Sequence, residues 1–169
     1  LIFSFGMSSE LIIGIILSCS ILAIFVGSFS AIFENNLKRL LAFSSVAQIG
    51  YITLGIVIAN NAGLTGSMVH IFNHALMKAS LFMILGAIAF QIHKDQLTLT
   101  DLSGLGKQMP FSMAAMTIAG LSLLGVPGTV GFVTKWYLIQ GAMQNGWWWL
   151  VVLILVSSLL VLIYLGKII

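Results

Sequence analysis

Apolar positions in this chain come in long unbroken runs, and polar residues cluster in the short stretches between them. The first run opens at Glu10 and continues to about Phe33, after residues 1–9, which read as a short connection. Glu34-Asn35-Asn36-Leu37-Lys38-Arg39 forms a polar boundary, and a second helix is expected over about 40–59. Asn60-Asn61-Ala62-Gly63 reads as a turn. A third helix follows over about 64–92, and His93 to Pro110 is the one substantial polar segment, expected to be an extramembrane loop. Phe111 to about Met143 is too long for a single straight span of about 20 residues. Gly125-Val126-Pro127-Gly128 interrupts it, because proline removes a backbone donor and clashes with the preceding turn. The pattern therefore predicts helices over 111–125 and 129–144 around a break. Asn145-Gly146 ends the second piece, Trp147-Trp148-Trp149 suits a membrane interface, and a last helix is expected over 147–169.

Composition turns these runs into membrane spans. Of 169 residues, 60% are hydrophobic and only 7% charged, with a mean hydropathy of +1.14, whereas a soluble domain carries about 25% charged residues. The runs are far longer than membrane β-strands of about ten residues. Each span must satisfy its own backbone hydrogen bonds in lipid. The expected fold class is all-α: a polytopic transmembrane helix bundle with one proline-broken region, forming a single transmembrane domain over 1–169. The chain starts at Leu1 without a signal-peptide pattern and stops in an apolar run. A fragment of a longer subunit is expected. Gly14 and Gly27 are candidate close-packing points in the first helix.

The basic residues order the topology. Lys38 and Arg39 lie in one inter-helix turn and Lys94 and Lys107 in the polar loop, which alternating helices place on one side; the turn at Asn60-Asn61 has none. The side rich in lysine and arginine is expected to be cytoplasmic. The net charge of +3 resides mostly in loops and helix ends, and carries no nucleic-acid signature. One cysteine, Cys19, excludes an internal disulfide and a multi-thiolate metal site.

The candidate chemistry lies in the third helix. His70, His74 and Lys78 stand at i, i+4 and i+8, so they share one face and climb roughly 12 Å. Ionisable groups at membrane depth are costly and face a bundle interior or a wet cavity, so an aligned row suggests a proton path. Lys78 falls near the middle of its span, too deep to snorkel; it is either a proton carrier or the partner of a carboxylate on another helix. The only four acids are near helix ends or in loops. Histidine titrates near neutral pH, so each of the pair is either a relay member or a satisfied packing residue. Two ligands do not close a zinc site, and two histidines one turn apart cannot clasp a haem from both faces. Lys135, just past the break, is either an ion-handling residue beside freed backbone groups or a lysine reaching an interface. Ser44 and Gln48, four apart on the second helix, read as helix–helix hydrogen-bonding residues. Lys38 reads as a basic helix end.

Three blocks resemble a known family. They are Asn36-Leu37-Lys38-Arg39-Leu40-Leu41-Ala42-Phe43-Ser44-Ser45-Val46-Ala47-Gln48-Ile49-Gly50-Tyr51, His70-Ile71-Phe72-Asn73-His74-Ala75-Leu76-Met77-Lys78-Ala79, and Gly125-Val126-Pro127-Gly128-Thr129-Val130-Gly131-Phe132-Val133-Thr134-Lys135. In this order they are similar to the antiporter-like membrane subunits of respiratory complex I and of Mrp-type multisubunit Na+/H+ antiporters, in their later half. Lys135-Trp136-Tyr137-Leu138 and Leu102-Ser103-Gly104-Leu105-Gly106 look closest to the D-type antiporter subunit. The resemblance implies an inverted repeat with a broken helix in each half. It also implies a midplane row of ionisable residues, with Lys38, His70, His74, Lys78 and Lys135 on relay positions. The family's glutamate–lysine pair of the first half has no counterpart here.

The expected function is proton translocation in a bacterial inner membrane, as one subunit among other membrane subunits in a lipid bilayer. The alternative is a non-conducting structural subunit. A third reading, a haem-binding electron carrier through His70 and His74, would show in a visible spectrum. No flavin, nucleotide or iron–sulfur motif is present, so no cofactor and no redox catalysis are expected of this chain itself. An NADH:quinone oxidoreductase-like complex and an Na+-coupled antiporter both stay open as the parent assembly.

Overall fold

Among the described residues, six of seven helices make five membrane crossings, one crossing being shared by two of them, and the remaining helix is only four residues long. A computed structural model describes residues 9–168, so the segment before Ser9, expected as a connection, lies outside the described residues. Helix α1 spans Ser9–Phe33, α2 Leu37–Ile58, α3 Asn61–Gln91, α4 Leu105–Gln108, α5 Pro110–Leu124, α6 Val130–Gln144 and α7 Trp148–Leu165. A 3-10 turn covers Leu99–Leu102. Among the described residues, four helices (α1, α2, α3 and α7) are long and apolar enough to cross a membrane by themselves.

Several boundaries shift from the sequence expectation, for local reasons. Helix α2 begins at Leu37 rather than 40 because the Asn36 side chain caps it, accepting from the Arg39 amide at 3.2 Å. Helix α3 begins at Asn61 rather than 64 because Asn60 accepts from the Gly63 amide at 2.8 Å. Such caps satisfy amides that have no partner inside the helix. Asparagines read as turn residues are thus helix starts. The polar segment is also more ordered than a plain loop. Asp101 accepts from the Thr98 amide and hydroxyl, both at 2.7 Å, and from Lys94 at 2.8 and 2.9 Å. Pro110 then opens α5 at its first turn, where a missing amide costs nothing. The last helix ends at Leu165 rather than running to the end of the chain, and Lys167 beyond it donates to the Ile32 carbonyl.

The two ends of the bundle differ in kind. At one end the polar segment is stitched to the α1–α2 turn: Leu37 N donates to Leu97 O at 2.9 Å, Leu99 N to Asn35 O at 3.3 Å, and Lys38 Nζ to Asp95 O at 3.0 Å. Arg39 pairs with Glu34 at 3.1 Å. Lys38, Arg39, Lys94, Lys107 and Lys167 all gather there. The other end is knit by amides: Asn60 Nδ2 donates to Gly141 O at 2.8 Å, and Asn145 Nδ2 to Ile58 O at 2.7 Å. Among the described residues this second end holds no lysine or arginine.

Close helix approach replaces hydrophobic driving force inside lipid, where apolar surface gains little by leaving the tails. Gly27 is such a contact: a Cβ there would stand 2.7 Å from Ala47 N and 2.9 Å from Phe43 O. Gly14, expected to do the same, meets nothing within 4 Å and is not a packing point. Two buried apolar clusters form. One, toward the basic end, joins Leu40, Leu41, Met77, Leu81, Leu123 and Tyr164. The other, toward the amide-knit end, joins Ile24, Tyr51, Leu54, Leu138 and Ile154.

Candidate functional site

Polar side chains run through the bundle from one cluster to the other. On α3, His70 and Lys78 are buried and His74 is half-buried. The face they share, expected from the i, i+4, i+8 spacing, points at α2 and α6. Lys78 Nζ donates to Leu41 O at 2.6 Å and to Ser44 Oγ at 2.5 Å. Both acceptors are neutral, and neither of the ion pairs among the described residues involves Lys78. The carboxylate-partner reading of Lys78 therefore has no support within this segment. One turn further along α2 from Ser44, Gln48 Oε1 lies 3.0 Å from His70 Nε2. The other ring nitrogen, Nδ1, lies 3.1 Å from Thr134 Oγ1 on α6. His74 stacks on His70 with ring centroids 6.0 Å apart, and its Nδ1 is buried without a partner.

The helix break builds the far end of this row. Gly125 ends α5 in a left-handed conformation (φ 86°), its amide shared between Leu121 O and Ser122 O. That conformation is cheap only for glycine. Gly131 lets the first turn of α6 sit against α5, since a Cβ there would run into the Ser122 carbonyl oxygen. The break leaves the last carbonyls of α5 without intrahelical partners. Lys135 reaches back across it: Nζ donates to Leu124 O at 2.7 Å and to Ser158 Oγ of α7 at 2.9 Å. An ammonium at a helix C-terminus is favourably placed against the helix dipole. The Tyr51 ring adds its face, with Nζ 5.5 Å from the centroid, within range of a cation–π interaction. Tyr51 is held in turn by its hydroxyl, 2.6 Å from Ser157 Oγ, and it meets His70 edge-on at 6.0 Å.

Four of the five residues singled out from the sequence thus come together: His70, His74 and Lys78 on one face, and Lys135 joined to them through Thr134 and Tyr51. Lys38 does not join them. It is exposed at the basic end, in the first turn of α2. Sequence reasoning missed the neutral partners. Ser44 and Gln48, read as helix glue, are the direct contacts of Lys78 and His70, and Thr134 and Ser158 carried no signal. The available clue was the Ser44, Gln48, Tyr51 stripe, at i, i+4 and i+7 on the neighbouring helix. Among the described residues, no three His, Cys, Asp or Glu side chains converge as a metal site would need. Near the row, Gln48 Nε2 and the Tyr164 hydroxyl are also buried without partners.

A helical bundle long and apolar enough to cross a membrane, with a broken helix and a row of lysine and histidine in its interior, has the architecture of a polytopic membrane subunit. Residues 1–161 match the family described as NADH:quinone oxidoreductase/Mrp antiporter, TM. The chain belongs to that family. It is 42% identical over 146 residues to NADH-quinone oxidoreductase subunit N of Desulforudis audaxviator, covering 86% of this chain and 29% of that protein. It is 35% identical over 132 residues to subunit N of Rhodospirillum rubrum, covering 78% and 27%. Among solved structures, a chain of the Mrp complex from Dietzia sp. DQ12-45-1b superposes with a TM-score of 0.86 at 33% identity, over 92% of this chain and 29% of that one. A chain of respiratory complex I from Thermus thermophilus gives 0.80 at 30% identity, over 92% and 35%. The sequence spans less than a third of the length of these curated relatives. These curated relatives are subunit N, and the solved structures include both an Mrp and a complex I chain.

Proposed function

We propose that this segment carries protons within a larger antiporter-like subunit, along Lys78, His74, His70 and Lys135. The observation that supports it most is the pairing of both buried lysines with neutral acceptors alone. A lysine locked to a carboxylate holds its proton, whereas one held by carbonyls and hydroxyls in a desolvated interior can give it up. The unpartnered His74 Nδ1, Gln48 Nε2 and Tyr164 hydroxyl are groups that recruit buried water, the medium through which protons hop. Lys38 is the proposed mouth of the row at the basic end, one turn along α2 from the Leu41 carbonyl that Lys78 holds.

The basic end is proposed to face the cytoplasm of a bacterial cell, and the partners to be the remaining membrane subunits of a complex I-like or Mrp-like assembly. Energy for transport comes from outside this chain, as a redox module or an opposing Na+ gradient. The test is proton flux in proteoliposomes holding the full-length parent assembly, with Lys78 intact or changed to Ala. Loss of flux with normal assembly supports the row. Unchanged flux makes Lys78 a packing residue and favours the structural-subunit reading.

A further inference from the structure

The two buried lysines are not partnered alike. An ammonium has three N–H donors and no acceptor. Lys78 Nζ gives two of them to Leu41 O and Ser44 Oγ, at 2.6 and 2.5 Å, and among the described residues no aromatic face lies over it. Lys135 Nζ likewise gives two, to Leu124 O at 2.7 Å and Ser158 Oγ at 2.9 Å, but it also stands 5.5 Å over the centre of the Tyr51 ring. The face of an aromatic ring is negative, so it attracts an ammonium and offers little to a neutral amine. Removal from water strengthens that attraction, and both Tyr51 and Lys135 are buried.

The ring is held in place from two sides. Its hydroxyl lies 2.6 Å from Ser157 Oγ on α7, whichever of the two gives the hydrogen. His70 of α3 meets it edge-on, with centroids 6.0 Å apart and ring planes at 68°. Tyr51 thus stands on α2 and touches α3, α6 and α7 at once. Turning the ring away from Lys135 would move heavy atoms through a packed interior and break the Ser157 contact.

We infer that Tyr51 is a positioning residue that weights the row toward a charge resting on Lys135 rather than on Lys78. Its ring face stabilises the charged form of one lysine and has no counterpart at the other. His70 of α3 also faces Lys135, and a charge on that ring would oppose one on the lysine. From α5 and α7, Leu124, Gly125, Ile154, Leu155 and Ser158 surround Lys135, and none of them titrates. Lys78 is faced by His74 on its own helix and, beside Ser44, by the Tyr164 hydroxyl of α7. The Tyr51 face is the partner that one lysine has and the other lacks.

The inference deepens the proton-carrier reading and rests on it only for its meaning in transport. Lysine protonation is legible in 15N solid-state NMR of the full-length parent subunit, labelled with 15N-lysine in lipid bilayers and followed with pH. The two signals are identified by their loss in Lys78→Ala and Lys135→Gln. Lys135 is expected to keep its proton to a higher pH than Lys78, and Tyr51→Phe, which keeps the ring face, to preserve that order. Tyr51→Leu should move the Lys135 midpoint to lower pH by about half to one unit, a hold weakened about three- to tenfold. Phenylalanines bearing more and more fluorines at position 51 keep the ring's shape while draining its negative face. They should lower the midpoint in step, an order that a merely structural role does not produce. Repeating the series in His70→Asn removes the second titrating charge beside the ring. A Lys135 midpoint indifferent to fluorination, or one lying below that of Lys78 in the parent, overturns the inference. Ordered midpoints with flux that ignores Lys135→Gln sink the relay and leave the inference standing.

Discussion

Lys135 Nζ donates to the Leu124 carbonyl at 2.7 Å across the helix break, so one side chain both carries the charge of α6 and closes the open end of α5. These two roles separate on substitution. Lys135→Met removes the charge and leaves Leu124 O and Ser158 Oγ without their donor, at about 1–3 kcal/mol for the buried carbonyl. Lys135→Gln keeps an amide donor without a titrating group. Flux is expected to vanish in both, while the thermal midpoint of the solubilised parent falls in Lys135→Met and recovers in part in Lys135→Gln. Equal melting of the two variants would remove the capping role.

Gly131 and Gly14 predict opposite responses to the same added methyl. Gly131→Ala drives a Cβ into the Ser122 carbonyl, and overpacking of this kind costs about 1–3 kcal/mol. Gly14→Ala meets open space and gains helix propensity of up to about 1 kcal/mol. Thermal unfolding in detergent should lower the midpoint for the first and hold or raise it for the second.

The polar segment at the basic end carries its own acid limit. The hydrogen bond from Lys94, with those from Thr98, holds the Asp101 carboxyl down at about 2 against an ordinary 3.8. A lowered carboxyl contributes fully above its unfolded value and loses that contribution as the pH falls to its folded one. The Thr98–Asp101 turn should therefore be intact down to about pH 4 and open between there and about pH 2. Hydrogen exchange at the Thr98 amide reads it directly. Asp101→Asn should expose that amide already at neutral pH.

Sidedness has a simple chemical readout. In a Cys19→Ser background, Lys107→Cys is expected to react with an impermeant maleimide from the cytoplasmic face, and Asn61→Cys, also exposed, from the other. Reversed labelling would invert the proposed orientation.

Much of the bundle is legible in the chain, because spans, the proline break and the face shared by His70, His74 and Lys78 follow from local periodicity. What the periodicity hides is the tertiary register. Nothing in a four-residue spacing says that Gln48 lies level with His70, or that Thr134 arrives on its far side from 64 residues away. Helix starts at Asn36 and Asn60 escape for a different reason, since asparagine is equally at home in turns and caps. Lys167 contributes to the basic end only because α7 returns to it, a fact of topology rather than of the residues around it.

Lys78 and Lys135 lie at different depths. Along α2, the Leu41 and Ser44 contacts of the first precede Tyr51, beside the second, by seven to ten residues, or roughly 10–15 Å of axis. A hydrocarbon core of about 30 Å drops a full membrane potential over that thickness, about 2.3 kcal/mol per elementary charge for each 100 mV. A positive charge passed from one lysine to the other therefore crosses roughly a third to a half of the voltage. If the proposed row links them, that step is electrical work as well as chemistry, and its equilibrium leans with the membrane potential.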